Sequence, residues 1–210
     1  MKKGIIFDMD GTLWDSAENV ARSWGEVISY ETKGKLVVGT EDIKRVMGHT
    51  MTEIAEMLFS DLGKEEANIL MDKCCDYENE YLARHGGILY PKVKETLELL
   101  SKSYPLYIVS NCQDGYIEAF LKYYDLAWYF SDTECFGRTK KEKGDNIALV
   151  VERNHLSDAV YVGDIQGDYD SSRQAGVKFI HAAYGFGTVD AKVPAIKEFA
   201  QLPQVLSQIF

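Results

Sequence analysis

The stretch Phe7-Asp8-Met9-Asp10-Gly11-Thr12-Leu13 guides the interpretation of the whole chain. An apolar run over residues 4–9 predicts a short, buried strand. Side chains alternate between the two faces of a strand, so Asp8 and Asp10 lie on one side. Because unpaired buried carboxylates are costly, we expect both acids at the carboxyl end of this strand, where open α/β sheets form their ligand crevice. A simple capping arrangement at the strand end is the alternative.

Apolar runs and amphipathic helical patterns alternate through much of the remaining chain. Besides residues 4–9, the runs that predict strands are 105–110, 159–163 and 177–182. The helical patterns between them span residues 93–102, 115–123, 145–153 and 168–175. Strands that alternate with helices predict an α/β fold with a doubly wound, parallel, Rossmann-like sheet.

Residues 16–87 interrupt this alternation. They contain helical patterns over 17–30, 41–47, 52–59 and 64–83, with only the short run 35–38 as a candidate strand. A mostly helical insertion directly after the first strand predicts a separate helical cap. We therefore expect a core of residues 1–15 and 88–210, a cap of residues 16–87, and hinges near 15–18 and 85–90.

The composition limits the possible classes of function. The chain has 210 residues, of which 46% are hydrophobic, which predicts a packed core rather than disorder. A net charge of −10 argues against binding to nucleic acid. Every apolar run is far shorter than the roughly 20 residues that cross a bilayer, so no membrane association is expected. The acids that break the first apolar run argue against an export signal, and the four cysteines show no CxxC spacing. We therefore expect a cytoplasmic protein with reduced thiols.

A second acidic pair, Asp164 and Asp168, follows the strand predicted over residues 159–163. A helix N-cap accounts for one carboxylate, and Asp168 fits that role in part. It does not account for four carboxylates at the ends of two strands in one sheet, which repel one another unless a cation lies between them. Hard oxygen ligands with few His or Cys residues nearby suit Mg²⁺, which binds one or two carboxylates directly. The pattern predicts a Mg²⁺ site shared with an anionic substrate.

Uncharged groups near these acids fit the same anion. Gly11 and Thr12 follow Asp10 directly, and we expect them to turn the chain and bring backbone N–H groups near the acids. Ser110 and Asn111 end the strand predicted over residues 105–110, and they offer a hydroxyl and an amide donor.

One lysine fits the anion as well. Lys143 lies just before a predicted helix and can neutralise a bound phosphoryl group as a point charge. Lys140 and Lys141 are rivals for this role, and a solvated surface lysine is the alternative without function.

Taken in order, these motifs resemble the haloacid dehalogenase superfamily. The resemblance rests on Asp8-Met9-Asp10-Gly11-Thr12-Leu13 with Asp15-Ser16, then Ser110-Asn111, then Lys143, and finally Gly163-Asp164 with Asp168. Each motif alone is weak, but the ordered set spans nearly the whole chain. The insertion between the first two motifs is similar to the subgroup with a helical cap, which includes phosphoglycolate-phosphatase-like enzymes and β-phosphoglucomutase.

The resemblance implies a mechanism and a set of site residues. Asp8 would attack phosphorus to form an aspartyl-phosphate, and Asp10 would protonate the leaving oxygen and then deprotonate the attacking water. Mg²⁺ would be held by Asp8, the backbone carbonyl of Asp10 and Asp164, with Asp168 as an outer or auxiliary ligand. The phosphoryl oxygens would be bound by Ser110, Asn111 and Lys143.

Differences between this sequence and other members of the superfamily narrow the range of possible activities. Dehalogenases of this superfamily lack the second acid that Asp10 provides, which favours phosphoryl transfer. Mutases carry a His and an Arg at the places that correspond to Val20 and Met51 here, and both departures favour a hydrolase. His49, in the same cap loop as Met51, is a candidate contact to substrate.

We therefore expect a Mg²⁺-dependent phosphatase that acts on a small phosphorylated metabolite, such as phosphoglycolate or a sugar or nucleotide monophosphate. A helical cap closes over small substrates and excludes bulk water. The alternatives are a phosphoryl-transfer mutase of the β-phosphoglucomutase type and a low-turnover metabolite-binding regulatory protein of the same fold. A monomer or a weak homodimer is expected.

Overall fold

The computed structural model describes residues 2–210, and its elements follow the predicted alternation closely. The strands in the described chain are β1 Lys3–Phe7, β2 Trp14–Asp15, β3 Ile88–Leu89, β4 Leu106–Ser110, β5 Phe130–Cys135, β6 Asp158–Gly163, β7 Lys178–Ala182 and β8 Ala195–Ile196. The α-helices are α1 Ala17–Thr32, α2 Thr40–Val46, α3 Met51–Leu58, α4 Lys64–His85, α5 Val93–Ser101, α6 Tyr116–Tyr124, α7 Phe136–Thr139, α8 Lys143–Arg153, α9 Gln166–Gln174 and α10 Leu202–Ile209.

A parallel six-stranded sheet forms the centre of the molecule, in the order β5-β4-β1-β6-β7-β8. Strand β1 lies between β4 and β6, and Phe7 pairs with Ile108 on one side and Val162 on the other. Alternate residues of β1 enter two separate apolar cores: Ile5 packs in one and Ile6 in the other. Helices cover both faces, and this confirms the predicted doubly wound α/β fold.

The edges of the sheet differ from the prediction. Residues 35–38 form no strand; Val37 is exposed, and the surrounding elements are helices with no free strand edge to pair with. The sheet instead contains β5 and β8, which we did not predict from the sequence. Strand β5 carries the polar residues 131–133 and lies at an edge, so it lacks the continuous apolar run of a central strand.

Helices α1 to α4 pack mainly on one another around a buried centre that includes Trp24, Met71 and Cys74. The two segments that join these helices to the rest of the chain run side by side as the antiparallel ribbon β2-β3, with Trp14 opposite Leu89. The ribbon falls at the predicted hinges; the division into core and cap stays a prediction. The four cysteines are buried and free. None of the described helices has the length and apolar character needed to cross a membrane.

Candidate active site

The turn after β1 brings the first acidic motif to the carboxyl edge of the sheet. Asp8 follows β1 directly, and its N–H donates to Val162 O at 2.9 Å. Gly11 has a φ of +81°, and a Cβ there would lie 2.0 Å from Asp164 Oδ2, so only glycine fits this position. The N–H groups of Gly11 and Thr12 donate inside the turn, to Trp14 O at 2.9 Å and Met9 O at 3.1 Å. Both amides are thus paired within the turn, and their predicted contact with substrate stays a prediction.

Three of the four predicted acids meet in one cluster. Asp8 follows β1, Asp164 follows the neighbouring β6, and Asp168 lies in the first turn of α9. Each offers a carboxylate oxygen, and these oxygens all lie within 4.8 Å of one another. All three side chains are almost fully buried. Parallel strands end at the same edge, so the fold converts distant sequence motifs into one acidic centre.

Lys143 completes this centre as the first residue of α8. Its Nζ lies 3.0 Å from Asp8 Oδ1 and 2.6 Å from Asp168 Oδ1, and the side chain is buried. Lys140 and Lys141 are exposed. Of the three rival lysines, the structure thus brings Lys143 to the acids. Burial alone would lower the pKa of Lys143, but the attraction of Asp168 and Asp8 outweighs it and raises the pKa.

The cluster carries more negative charge than one lysine offsets. Burial raises the pKa of Asp8 to about 7, and the neighbouring Asp168 and Asp10 add to this effect while Lys143 opposes it. Burial, together with Asp168 and Asp8, also raises the pKa of Asp164 well above its usual value. A bound cation would relieve this repulsion.

The hydrogen bonds of the cluster leave room for a metal ion. Asp168 uses both oxygens: Oδ1 accepts from Lys143, and Oδ2 accepts from the N–H groups of Asp164 and Ile165 at 3.0 and 3.2 Å. Within residues 2–210, no donor is paired with Asp8 Oδ2 or Asp164 Oδ1. These two carboxylates fit Mg²⁺, which takes oxygen ligands and often only one or two carboxylates. Because both oxygens of Asp168 already have donors, its part as an outer or auxiliary ligand stays a prediction.

A loop after β7 closes one side of the cluster. The N–H of Phe186 donates to Asp164 Oδ2 at 2.7 Å, and the hydroxyl of Tyr184 donates to Thr12 O at 2.7 Å. A Cβ at Gly185 would lie 2.4 Å from Asp164 Cβ, so the close approach requires glycine here. The loop therefore holds both Asp164 and the turn after β1.

Asp10 lies beside this cluster with partners of its own. Its Oδ1 accepts hydrogen bonds from Ser16 Oγ at 2.5 Å and from the hydroxyl of Tyr116 at 2.7 Å. Burial raises the pKa of Asp10, and the two hydrogen bonds partly oppose this. We did not predict the contact of Tyr116 from the sequence. It lies five positions after Asn111 at the start of α6, and no spacing rule connects such a tyrosine with an acid 106 residues away.

The remaining predicted site residues are Ser110, Asn111 and His49. Ser110 is buried at the end of β4. Asn111 Nδ2 donates to Gly48 O at 2.8 Å, across to the loop that carries His49. His49 is exposed, its Nδ1 lies 3.8 Å from Glu53 Oε2, and it lines the same cavity as Asp8.

That cavity, of about 30 Å³, lies between the acids and the helices α1 to α4. Its walls include Asp8, Asp10, Ser110, Asn111, Tyr116, Gln113 and Cys112 from one side and Val20, Trp24, Ile43, Val46, Met47, Gly48, His49, Met51, Ile54 and Glu78 from the other. Glu78 is not among the predicted site residues, because a lone acid on a long helix is usually solvated.

The protein therefore has a doubly wound α/β fold. Its buried acids and lysine lie at the carboxyl ends of the parallel strands, where enzymes of this fold carry their active sites. The family model for haloacid dehalogenase-like hydrolases matches residues 5–182, and the chain belongs to that family. The predicted resemblance is therefore confirmed.

Individual relatives agree with this assignment. The phosphoglycolate phosphatase of Escherichia coli (strain K12) is 28% identical over 216 residues, which cover 90% of this chain and 84% of that protein. A haloacid dehalogenase-like hydrolase from Streptococcus pneumoniae has a similar structure, with a TM-score of 0.81, 21% identity and coverage of 100% of this chain and 99% of that one. The structure of 2-haloacid dehalogenase from Pseudomonas syringae pv. tomato DC3000 is also similar, with a TM-score of 0.69, 25% identity and coverage of 100% of both chains.

Proposed function

We propose that this chain is a Mg²⁺-dependent phosphatase that hydrolyses small phosphomonoesters through an aspartyl-phosphate on Asp8. The observation that carries the proposal is the meeting of Asp8 and Asp164 with Lys143 at the carboxyl edge of the sheet. Phosphoryl transfer depends on positioning and charge stabilisation, and this centre offers a nucleophile, ligands for a cation and a positive charge. The curated relative named phosphoglycolate phosphatase supports the reaction class.

Asp8 and Asp10 divide the chemistry between them. A carboxylate oxygen of Asp8 attacks phosphorus in line, the bond to the leaving oxygen breaks, and protonated Asp10 gives that oxygen a proton. Asp10, now a carboxylate, then takes a proton from water as the water oxygen attacks phosphorus. This step releases phosphate and regenerates Asp8. Ser16 and Tyr116 orient Asp10 for both proton transfers.

The rest of the centre stabilises charge. Lys143 lies beside Asp8 and is placed to bind a phosphoryl oxygen as negative charge develops there. Asp8 and Asp164 would hold Mg²⁺, and Asp168 would position Lys143 and the backbone before α9. The metal ion, when bound, neutralises the carboxylates and the phosphoryl group. Ser110 and Asn111, at the end of β4, are the proposed further donors to phosphate.

Two competing reactions are less well supported. Asp10, with two hydrogen-bond donors on one oxygen, is a proton-transfer group that dehalogenases of the superfamily lack. Mutases of the superfamily carry a His and an Arg at the places that correspond to Val20 and Met51, which here present apolar side chains to the cavity. Both observations favour hydrolysis.

The test is release of inorganic phosphate from p-nitrophenyl phosphate and from a panel of small phosphomonoesters, with and without Mg²⁺. We expect Mg²⁺-dependent release that Asp8→Asn abolishes. The control is Asp76→Asn, which removes an exposed acid from α4 and leaves activity unchanged. Full activity of Asp8→Asn, or no release from any ester, would refute the proposal.

A further inference from the structure

The loop after β7 has no task in the proposed mechanism, although it contacts both segments that carry the proposed metal ligands. These segments are the turn after β1, residues 8–13, and residues 164–168 after β6. Strand pairing connects them at one end, where Asp8 N–H donates to Val162 O. In the described chain, no hydrogen bond joins residues 9–13 directly to the segment after β6. The spacing of the two segments therefore depends on contacts from elsewhere in the fold.

Two residues of the loop after β7 make such contacts. The N–H of Phe186 donates to Asp164 Oδ2, and the hydroxyl of Tyr184 donates to Thr12 O, both at 2.7 Å. Thr12 is fully buried, and among residues 2–210 no other donor is paired with its carbonyl oxygen. Because a buried carbonyl without a donor is costly, the Tyr184 hydroxyl holds the turn after β1 against the loop.

The backbone of the loop also packs tightly between the two segments. A Cβ at Gly185 would lie 2.4 Å from Asp164 Cβ and 2.4 Å from Gly11 O, so the loop touches one segment on each side. Close-packed atoms of this kind transmit displacement, because no free space absorbs it. A shift of the loop therefore moves Asp164 relative to the turn that follows Asp8.

The ring of Tyr184 packs against Tyr90, the residue directly after β3. The two ring centroids lie 4.7 Å apart and the rings meet at 60°, edge to face. The N–H of Tyr90 donates to Leu13 O at 3.2 Å, whereas its hydroxyl has no hydrogen-bond partner within the described residues. Burial raises the pKa of both hydroxyls, so both are uncharged at neutral pH. Tyr90 thus contributes its ring and no charge.

We propose that Tyr184 and Tyr90 are positioning residues for the metal site: the Tyr184 hydroxyl and the Tyr90 ring keep Asp164 and the turn after β1 at the spacing that binds Mg²⁺. The inference rests on the proposed function, which supplies the metal ion. Tyr90 belongs to the segment that joins helices α1 to α4 to the sheet, so the affinity for Mg²⁺ depends on the position of that segment.

Four variants separate the hydroxyl from the ring. Tyr184→Phe keeps both rings and removes the donor to Thr12 O. Tyr90→Leu removes the ring that packs on Tyr184. Tyr90→Phe keeps that ring and removes a hydroxyl that has no partner in the described chain. Tyr30→Phe, an exposed change on α1, is the control.

Metal binding is measured without substrate, by electron paramagnetic resonance of Mn²⁺ and its displacement by Mg²⁺. We expect Tyr184→Phe and Tyr90→Leu to weaken Mg²⁺ binding by about three- to tenfold, the effect of one hydrogen bond or one aromatic pair. Tyr90→Phe and Tyr30→Phe should keep the wild-type Kd. At saturating Mg²⁺, kcat with p-nitrophenyl phosphate should return to the wild-type value in all four variants, because neither tyrosine touches the reacting atoms. Thermal unfolding without metal shows that each variant is folded.

A wild-type Kd in folded Tyr184→Phe and Tyr90→Leu would overturn the inference, while phosphate release by the wild type would still support the phosphatase. A loss of affinity in Tyr90→Phe as large as in Tyr90→Leu would exclude the ring contact as the cause and overturn the role of Tyr90. A wild-type protein that binds neither ion and releases no phosphate would overturn the proposed function and this inference with it.

Discussion

Lys143 Nζ lies 3.0 Å from Asp8 Oδ1, although 135 residues separate the two in the chain. Both side chains are buried, so water does not screen the pair. The lysine also contacts Asp168, which makes it the positive centre of the acidic cluster. Its position therefore matters for stability as well as for the proposed chemistry.

Lys143→Met should reduce both stability and activity. The change leaves Asp8 and Asp168 buried without their cation, and breaking a buried pair costs about 3–5 kcal/mol. We expect a loss of about 3 kcal/mol in the free energy of unfolding without Mg²⁺ and a fall of about a hundredfold or more in kcat. Urea unfolding and steady-state kinetics check the two effects. Lys141→Met is the exposed control, and wild-type behaviour of Lys143→Met would contradict the assignment.

Asp10→Asn should separate the two proposed steps. The amide cannot activate water, but p-nitrophenolate leaves without a proton from the enzyme. We therefore expect a burst of p-nitrophenol near one equivalent, followed by turnover slowed by about 10²–10⁴-fold. Rapid-mixing absorbance measurements would detect the burst, and Asp61→Asn, an exposed change, serves as the control. A steady rate equal to that of the wild type would exclude Asp10 as the acid and base.

Mg²⁺ should stabilise the folded protein through Asp8 and Asp164. A ligand that binds only the native state at a hundred times its Kd adds about 2.7 kcal/mol to the free energy of unfolding. Thermal unfolding with and without Mg²⁺ measures this gain. We expect Asp164→Asn to remove most of it and Asp170→Asn, an exposed change on α9, to preserve it. An equal gain in Asp164→Asn would place the ion elsewhere.

Glu78 should make stability depend on pH. Burial raises its pKa from 4.5 to about 8, the hydrogen bonds from Trp24 and Gln113 oppose the rise, and the negative charge of Asp10 adds to it. Between these values the folded state keeps a proton that the unfolded state releases, so this group lowers stability as pH rises from 4.5 to about 8.

Glu78→Gln removes this titration. We expect its free energy of unfolding, relative to wild type, to increase across that window by up to about 1.4 kcal/mol per pH unit. Urea unfolding at a series of pH values measures the slope, and Glu80→Gln should run parallel to wild type. A parallel curve for Glu78→Gln would mean that Glu78 ionises normally in the folded protein.

The central strands and most helices could be predicted because local patterns specify them. The apolar run before Asp8 reflects the burial of strand β1. The helical spacing of Val93, Leu97 and Leu100 reflects the burial of one face of α5. We did not predict the edge strand β5, because its polar side chains face solvent on one side. Residues 35–38 show the reverse case: a short run that ends in two β-branched residues has no neighbouring strand to pair with.

The sequence by itself determined which acids end the central strands, since parallel strands finish at one edge and Asp8 and Asp164 follow two of them. Only the tertiary structure decided that Lys143 rather than Lys140 or Lys141 reaches those acids, and that Tyr116 bonds to Asp10. It also decided that Glu78 faces the cavity. The physical reason is that periodicity and strand ends can be read from a local segment, whereas these contacts depend on how separate elements pack against one another.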